Sequence, residues 1–124
     1  MVTVRKADPA LMDRVLALIG RHGLYFVDSR TTTLTVAGTE ASRLGVPYLA
    51  RKVFLDAVDG GIERSLAQAV SAAARDGSAV AIGHVQTEGL AAILRGAPAT
   101  MDRAGVQPAR LSALVAGSDG GTAE

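Results

Sequence analysis

Three short apolar runs, each delivering a chemically able side chain at its C-terminal end, constrain this chain more than any other feature. Leu24-Tyr25-Phe26-Val27 ends in Asp28-Ser29-Arg30-Thr31, Val53-Phe54-Leu55 ends in Asp56, and Ala79-Val80-Ala81-Ile82 ends in Gly83-His84. Aromatic and β-branched residues in runs of this length read as buried strands. Helical spacing fills the intervals. Asp8 and Pro9 suit the start of a helix whose apolar residues are Leu11, Met12, Val15, Leu16 and Ile19, with His22 in its last turn and Gly23 as its stop. A second helix is expected over Val36 to Leu44, ended by Gly45 and Pro47. After the turn Asp59-Gly60-Gly61, a third stripe runs through Ile62, Leu66, Ala69, Val70 and Ala73 to Gly77. Thr87 is placed to cap a fourth helix through Leu90, Ile93 and Leu94, which Pro98 bends or restarts. A fourth strand is expected around Arg110 to Val115, and the Gly-rich tail 117–124 reads as disordered.

Strands that alternate with helices require crossover connections, so the expected fold is α/β with about four mainly parallel strands. The spacing agrees: 28 residues separate Asp28 from Asp56, and 28 separate Asp56 from His84. That is close to the length of one strand-plus-helix unit. No sequence repeat accompanies it, so the period is structural. At 124 residues the chain is one domain or a piece of one, expected over residues 1–116. It is 48% hydrophobic, enough to bury a core.

The charge balance narrows the function classes. Formal net charge is +1, and the eleven Arg and two Lys are scattered, which gives no electrostatic case for nucleic acid or an acidic membrane surface. With no cysteine, disulfides, thiolate metal sites and a Cys nucleophile are excluded. No run reaches the ~18 apolar residues of a membrane span, and Met1 to Lys6 opens on no signal-peptide pattern.

In parallel α/β sheets the strand C-termini open onto one face, where reactive groups gather. Asp28, Arg30, Asp56 and His84 are therefore the candidate site. Asp28-Ser29-Arg30-Thr31 reads either as an Arg30 guanidinium held by neighbouring carboxylates and aimed at a catalytic acid or a substrate oxygen, or as a turn in which Asp28 and Ser29 bond local backbone amides. Asp56 reads either as the group that orients a histidine or as a loop or cap carboxylate. His84 suits a general acid, or a core histidine bonded to backbone. His22 reads as a helix-end cation, and Tyr25, Phe26 and Phe54 read as core. Asp28, Asp56 and His84 could together ligate a divalent ion, but the short His-containing spacing of a metal motif is missing. Asp59-Gly60-Gly61 lacks the spacing and lysine of a phosphate loop.

The strings Gly23-Leu24-Tyr25-Phe26-Val27-Asp28-Ser29-Arg30-Thr31, Arg51-Lys52-Val53-Phe54-Leu55-Asp56 and Ala81-Ile82-Gly83-His84 resemble, in order and spacing, the divergent polysaccharide deacetylases. The likeness runs from about Pro9 to Val115. It implies a partial (β/α) barrel of the glycoside hydrolase/deacetylase type. It also implies hydrolysis of acetyl groups on amino sugars, with acetylated polysaccharide or an amino-sugar oligomer as substrate. By the same resemblance His84 is the general acid, Asp56 the carboxylate that tunes it, Arg30 the arginine that steadies a catalytic base, and Asp28 a supporting residue. The family's paired acids and His-containing metal motif precede the matched region. No Asp-Asp pair or two histidines at ligand spacing occur in residues 1–22. The chain alone is thus expected to hold no metal and to be inactive, a zinc-like ion entering only with a further N-terminal segment. In place of the usual proline after the histidine stands Val85. A non-catalytic carbohydrate-binding or interaction domain is the alternative. An exposed sheet edge predicts association with a second copy or a separate segment. Family members are commonly exported, which suggests the periplasm.

Overall fold

The computed structural model describes residues 6–58 and 60–117. These residues form five helices and four short strands, divided between two compact units that meet in sequence at Ala50 and Arg51. The fold is mixed α/β with parallel strand pairing. Among the described residues, no helix is long and apolar enough to cross a membrane.

In the first unit, α1 (Pro9–Arg21) starts where expected. The Asp8 side chain accepts the Leu11 amide at 3.2 Å, and Pro9 follows it at the first helical position. Its apolar stripe places Met12 and Leu16 out of contact with water. Complete burial of such side chains contributes about 1.5–3 kcal/mol each. They pack on α2 (Ala37–Leu44), whose Ala37 and Ala41 are fully buried and small enough for close helix approach. Between the helices runs β1 (Phe26–Asp28), paired in parallel with β2 (Tyr48–Ala50) in the register Phe26↔Tyr48, Val27↔Leu49, Asp28↔Ala50. Gly45, at φ 71°, reverses the chain from α2 toward β2. The strand β2 is an addition to the four expected segments, since Tyr48-Leu49-Ala50 carries little β-branched character.

In the second unit, β3 (Val53–Phe54) pairs in parallel with β4 (Ala81–Ile82), and Leu55 donates its amide to the Ile82 carbonyl at 2.8 Å. The crossover is α3 (Ile62–Asp76), and α4 (Leu90–Arg103) follows β4. Leu55, Ile62, Leu66, Val70, Leu90 and Ala97 form one core. Pro98 neither ends nor restarts α4; the helix continues through it to Arg103. The helix is preceded by Gly89 as its N-cap, with no side-chain cap bond, so Thr87 is not the cap that its position suggested.

The segment expected as a fourth strand is instead α5 (Leu111–Gly117). Its apolar residues Leu111, Leu114 and Val115 fall three and four apart, the spacing of a helix face and not of a strand. The strands of the described residues thus form two two-stranded parallel sheets. Asp59 of the expected turn and tail residues 118–124 lie outside the described residues. Gly61 of that turn is in place as the N-cap of α3.

Candidate functional site

In the first unit, β1 ends on Asp28, a carboxylate with no exposure to water. Four donors of the chain saturate it. Oδ1 accepts from Lys6 Nζ at 2.7 Å and from the Arg30 amide at 2.8 Å; Oδ2 accepts from the Tyr48 hydroxyl at 2.7 Å and the Thr35 hydroxyl at 3.0 Å. Burial pushes this carboxyl up, but the bonds from Lys6, Tyr48, the Arg30 amide and Thr35 outweigh it and hold the group below its ordinary value. Tyr48 shifts the other way, to about 12, because burial and the neighbouring Asp28 charge both disfavour its anion. Thr35 also accepts the Ala37 amide at 3.2 Å, so one hydroxyl caps α2 and ties it to β1.

Arg30 follows with φ 53°, a left-handed conformation in a non-glycine residue. The Asp28 carboxylate holds its amide there, and its guanidinium works against the rise at Tyr48. Of the two sequence readings of this segment, the turn bonded to a local amide describes Asp28 and Arg30, while the ion pair of Asp28 is with Lys6.

In the second unit, β3 and β4 deliver Asp56 and His84 side by side. Asp56 Oδ2 accepts the His84 amide at 2.7 Å and the Thr87 hydroxyl at 2.5 Å. His84 Nδ1 lies 3.0 Å from Oδ1 and 3.1 Å from Oδ2. The Thr87 hydroxyl and the His84 amide, against burial and aided by the imidazole, bring the Asp56 carboxyl down to about 2. The carboxylate side chain is 2% exposed while that of the histidine is 56% exposed, so a screened anion anchors an accessible imidazole. Ring contacts fix the remaining freedom. Phe54 stacks on His84 with centroids 6.1 Å apart, and the Arg51 guanidinium lies 4.0 Å over the Phe54 ring. Gly83 is needed just before His84, because a Cβ there would stand 2.8 Å from Leu90 Cδ2.

The structure therefore joins Asp56 to His84 in one unit and Asp28 to Arg30 in the other. Sequence reasoning missed Lys6, Thr35, Tyr48 and Thr87. The alternation of Phe26 and Tyr48 as aromatic residues near glycine-terminated helices was a faint signal for the pairing; Lys6 had none. Among the described residues, no three His, Cys, Asp or Glu side chains come together as a metal site requires. Asp28 and Asp56 spend their oxygens on donors of the chain itself, so the described residues do not fit a divalent ion.

In parallel α/β folds ligands gather at the C-terminal ends of the strands, and the Asp56–His84 pair stands just past two such ends. The sequence profile of the divergent polysaccharide deacetylases matches residues 4–115, and the chain belongs to that family. An uncharacterized protein of Haemophilus influenzae is 36% identical over 98 residues, which are 77% of this chain and 35% of that protein. The uncharacterized protein YibQ of Escherichia coli is 40% identical over 75 residues, 59% of this chain and 24% of that protein. The crystal structure of an uncharacterized protein from Agrobacterium tumefaciens superposes with a TM-score of 0.79 at 26% identity, covering 88% of this chain and 45% of that one. The matched region thus spans about a third and a quarter of the two curated relatives, and under half of the solved one.

Proposed function

We propose that this chain supplies the proton-donating side of a hydrolase that removes N- or O-acetyl groups from a polysaccharide or amino-sugar oligomer. The Asp56–His84 pair carries the proposal. A carboxylate bonded to Nδ1 leaves Nε2 as the nitrogen that can hold a proton and pass it to a departing amine or alcohol. Asp56 stays anionic throughout and stabilises the imidazolium. In the same proposal Arg30 steadies the catalytic base, and Asp28 sets the backbone of Arg30. The fold in this reading is a partial (β/α) barrel of the deacetylase type, completed by association with a second copy or another segment.

An imidazole does not by itself create a nucleophile, so the isolated chain is expected to release no appreciable acetate. A divalent ion, where the reaction uses one, is to be held by residues other than those described. The test is acetate release from an acetylated amino-sugar oligomer, with zinc titrated in. It uses the chain alone and the chain fused to an acid- and histidine-bearing segment from a longer relative. Acetate release restored by the fusion and lost in His84→Ala supports the proposal. Release that is indifferent to His84→Ala counts against it.

The saturation of Asp28 and Asp56 by internal donors favours a second reading, a sugar-binding surface without chemistry. Oligomer binding that needs neither zinc nor His84, with no acetate from the fusion, selects that reading.

A further inference from the structure

We propose that Thr87 is a positioning residue that holds the Asp56 carboxylate where it accepts from Nδ1 of His84, and so keeps Nε2 as the nitrogen that exchanges the second proton. The proposal gives the proton-donor reading of His84 its geometry and rests on that reading for its functional meaning. Four observations carry it. The turn from His84 to Thr87 is closed by the Thr87 amide donating to the His84 carbonyl at 2.9 Å. Both ends of that turn then bond one atom, Asp56 Oδ2: the His84 amide at 2.7 Å and the Thr87 hydroxyl at 2.5 Å. Two donors fill the in-plane positions of a carboxylate oxygen. Oδ1 is consequently the oxygen with capacity left for the imidazole, and it lies 3.0 Å from Nδ1.

A carboxylate anion only accepts, so the bond to Oδ1 requires a proton on Nδ1 in the neutral ring. Nε2 is then the nitrogen that gains and gives the second proton. Thr87 has no competing duty as a helix cap, because Gly89 holds that position ahead of α4 without any side-chain cap bond. Removing the hydroxyl frees the carboxylate to turn away from Nδ1 or to take up water, with the His84 amide as the remaining donor on Oδ2. The preference for the Nδ1–H tautomer falls as a result, while the Phe54 stack continues to hold the ring plane.

The experiment is nitrogen-15 NMR of the His84 ring in the intact chain at alkaline pH, where the ring is neutral, comparing wild type, Thr87→Val and Thr87→Ser. Wild type and Thr87→Ser are expected to show predominantly Nδ1–H. With the carboxylate turned away from Nδ1 part of the time, Thr87→Val should lower the Nδ1–H to Nε2–H ratio roughly threefold or more, a fraction of the bond between Nδ1–H and Asp56. An unchanged ratio in Thr87→Val overturns the proposal, as does a loss in Thr87→Ser equal to that in Thr87→Val. A predominance of Nε2–H in the wild type overturns the proposal; should Thr87→Val fail to fold, Thr87→Ala takes its place, with the same fall expected and an unchanged ratio overturning it. No step of this measurement depends on acetate release, so a failure of the hydrolase reading and a failure of this proposal give different results.

Discussion

Replacing Tyr48 by phenylalanine removes one oxygen from the buried Asp28 cluster and leaves the packing in place. The ring stays stacked on Phe26, with centroids 6.2 Å apart and planes within 9°. What disappears is a 2.7 Å donor to a carboxylate with no exposure to water. A hydrogen bond to a charged group contributes roughly 1.5–3 kcal/mol. Thr35 remains on the same oxygen at 3.0 Å, which moderates the loss. The expected cost is about 2 kcal/mol, or roughly 6–10 °C in Tm for a chain of this size.

The pH dependence makes the test sharper. Burial raises the Asp28 carboxyl, and Lys6, Tyr48, the Arg30 amide and Thr35 together bring it below its ordinary value. A carboxyl depressed in the folded state stabilises fully above its unfolded value of about 3.9, and that contribution is lost as pH falls through the folded value. Without the Tyr48 hydroxyl the folded value rises. The deficit of Tyr48→Phe is therefore complete at neutral pH and shrinks as pH falls below about 4. Urea titrations followed by far-ultraviolet circular dichroism at neutral pH and near pH 3 measure both. In an Asp28→Asn background the same substitution should cost far less, since its acceptor charge is gone. A deficit of equal size in both backgrounds, or one unchanged in acid, refutes the reasoning.

Gly38→Ala should destabilise the first unit by about 1 kcal/mol or more despite the better helix propensity of alanine. Its Cβ would stand 3.1 Å from Tyr48 Cε2 and 3.3 Å from Tyr48 Oη, so the phenol, held on Asp28 at 2.7 Å, must give by a few tenths of an ångström; thermal melts check it. The Asp56 carboxyl should titrate at about 2 by carbon-13 NMR, and its stabilising contribution should be present at neutral pH and lost as pH falls toward that value. A midpoint near the ordinary carboxylate value of about 3.9 contradicts the three-donor arrangement. Gly83→Ala should cost about 1–2 kcal/mol by overpacking against buried Leu90, measured by denaturation, and should weaken the Nδ1–H signal of His84. Leu66→Ala, in the core of the second unit, should cost about 2–4 kcal/mol in the same assay.

The strand ends were legible because their information is local. A short apolar run, a polar residue and a helix stripe recur with a spacing that a strand-plus-helix unit explains, and Asp56 and His84 meet across parallel strands as that spacing requires. The donors around them were not legible, because a hydroxyl carries no pattern that tells one acceptor from another. Thr87 shows the ambiguity plainly. Three residues before Leu90, it has the residue type of a helix cap, yet the αL glycine at 89 turns the chain first and releases the hydroxyl to Asp56, 31 residues earlier. Lys6 and Tyr48 likewise reach Asp28 over separations of 22 and 20 residues, Tyr48 through the pairing of β1 with β2 and Lys6 from a segment whose carbonyl accepts the Val36 amide. The misread segment from Arg110 to Val115 follows the same logic: a run of six residues fits either period, and Leu111 with Leu114 and Val115 decides for the helix only when all three are weighed together. Periodicity thus locates the polar residues at the strand ends, and the long-range hydrogen bonds that set their charge and orientation are specified by the fold.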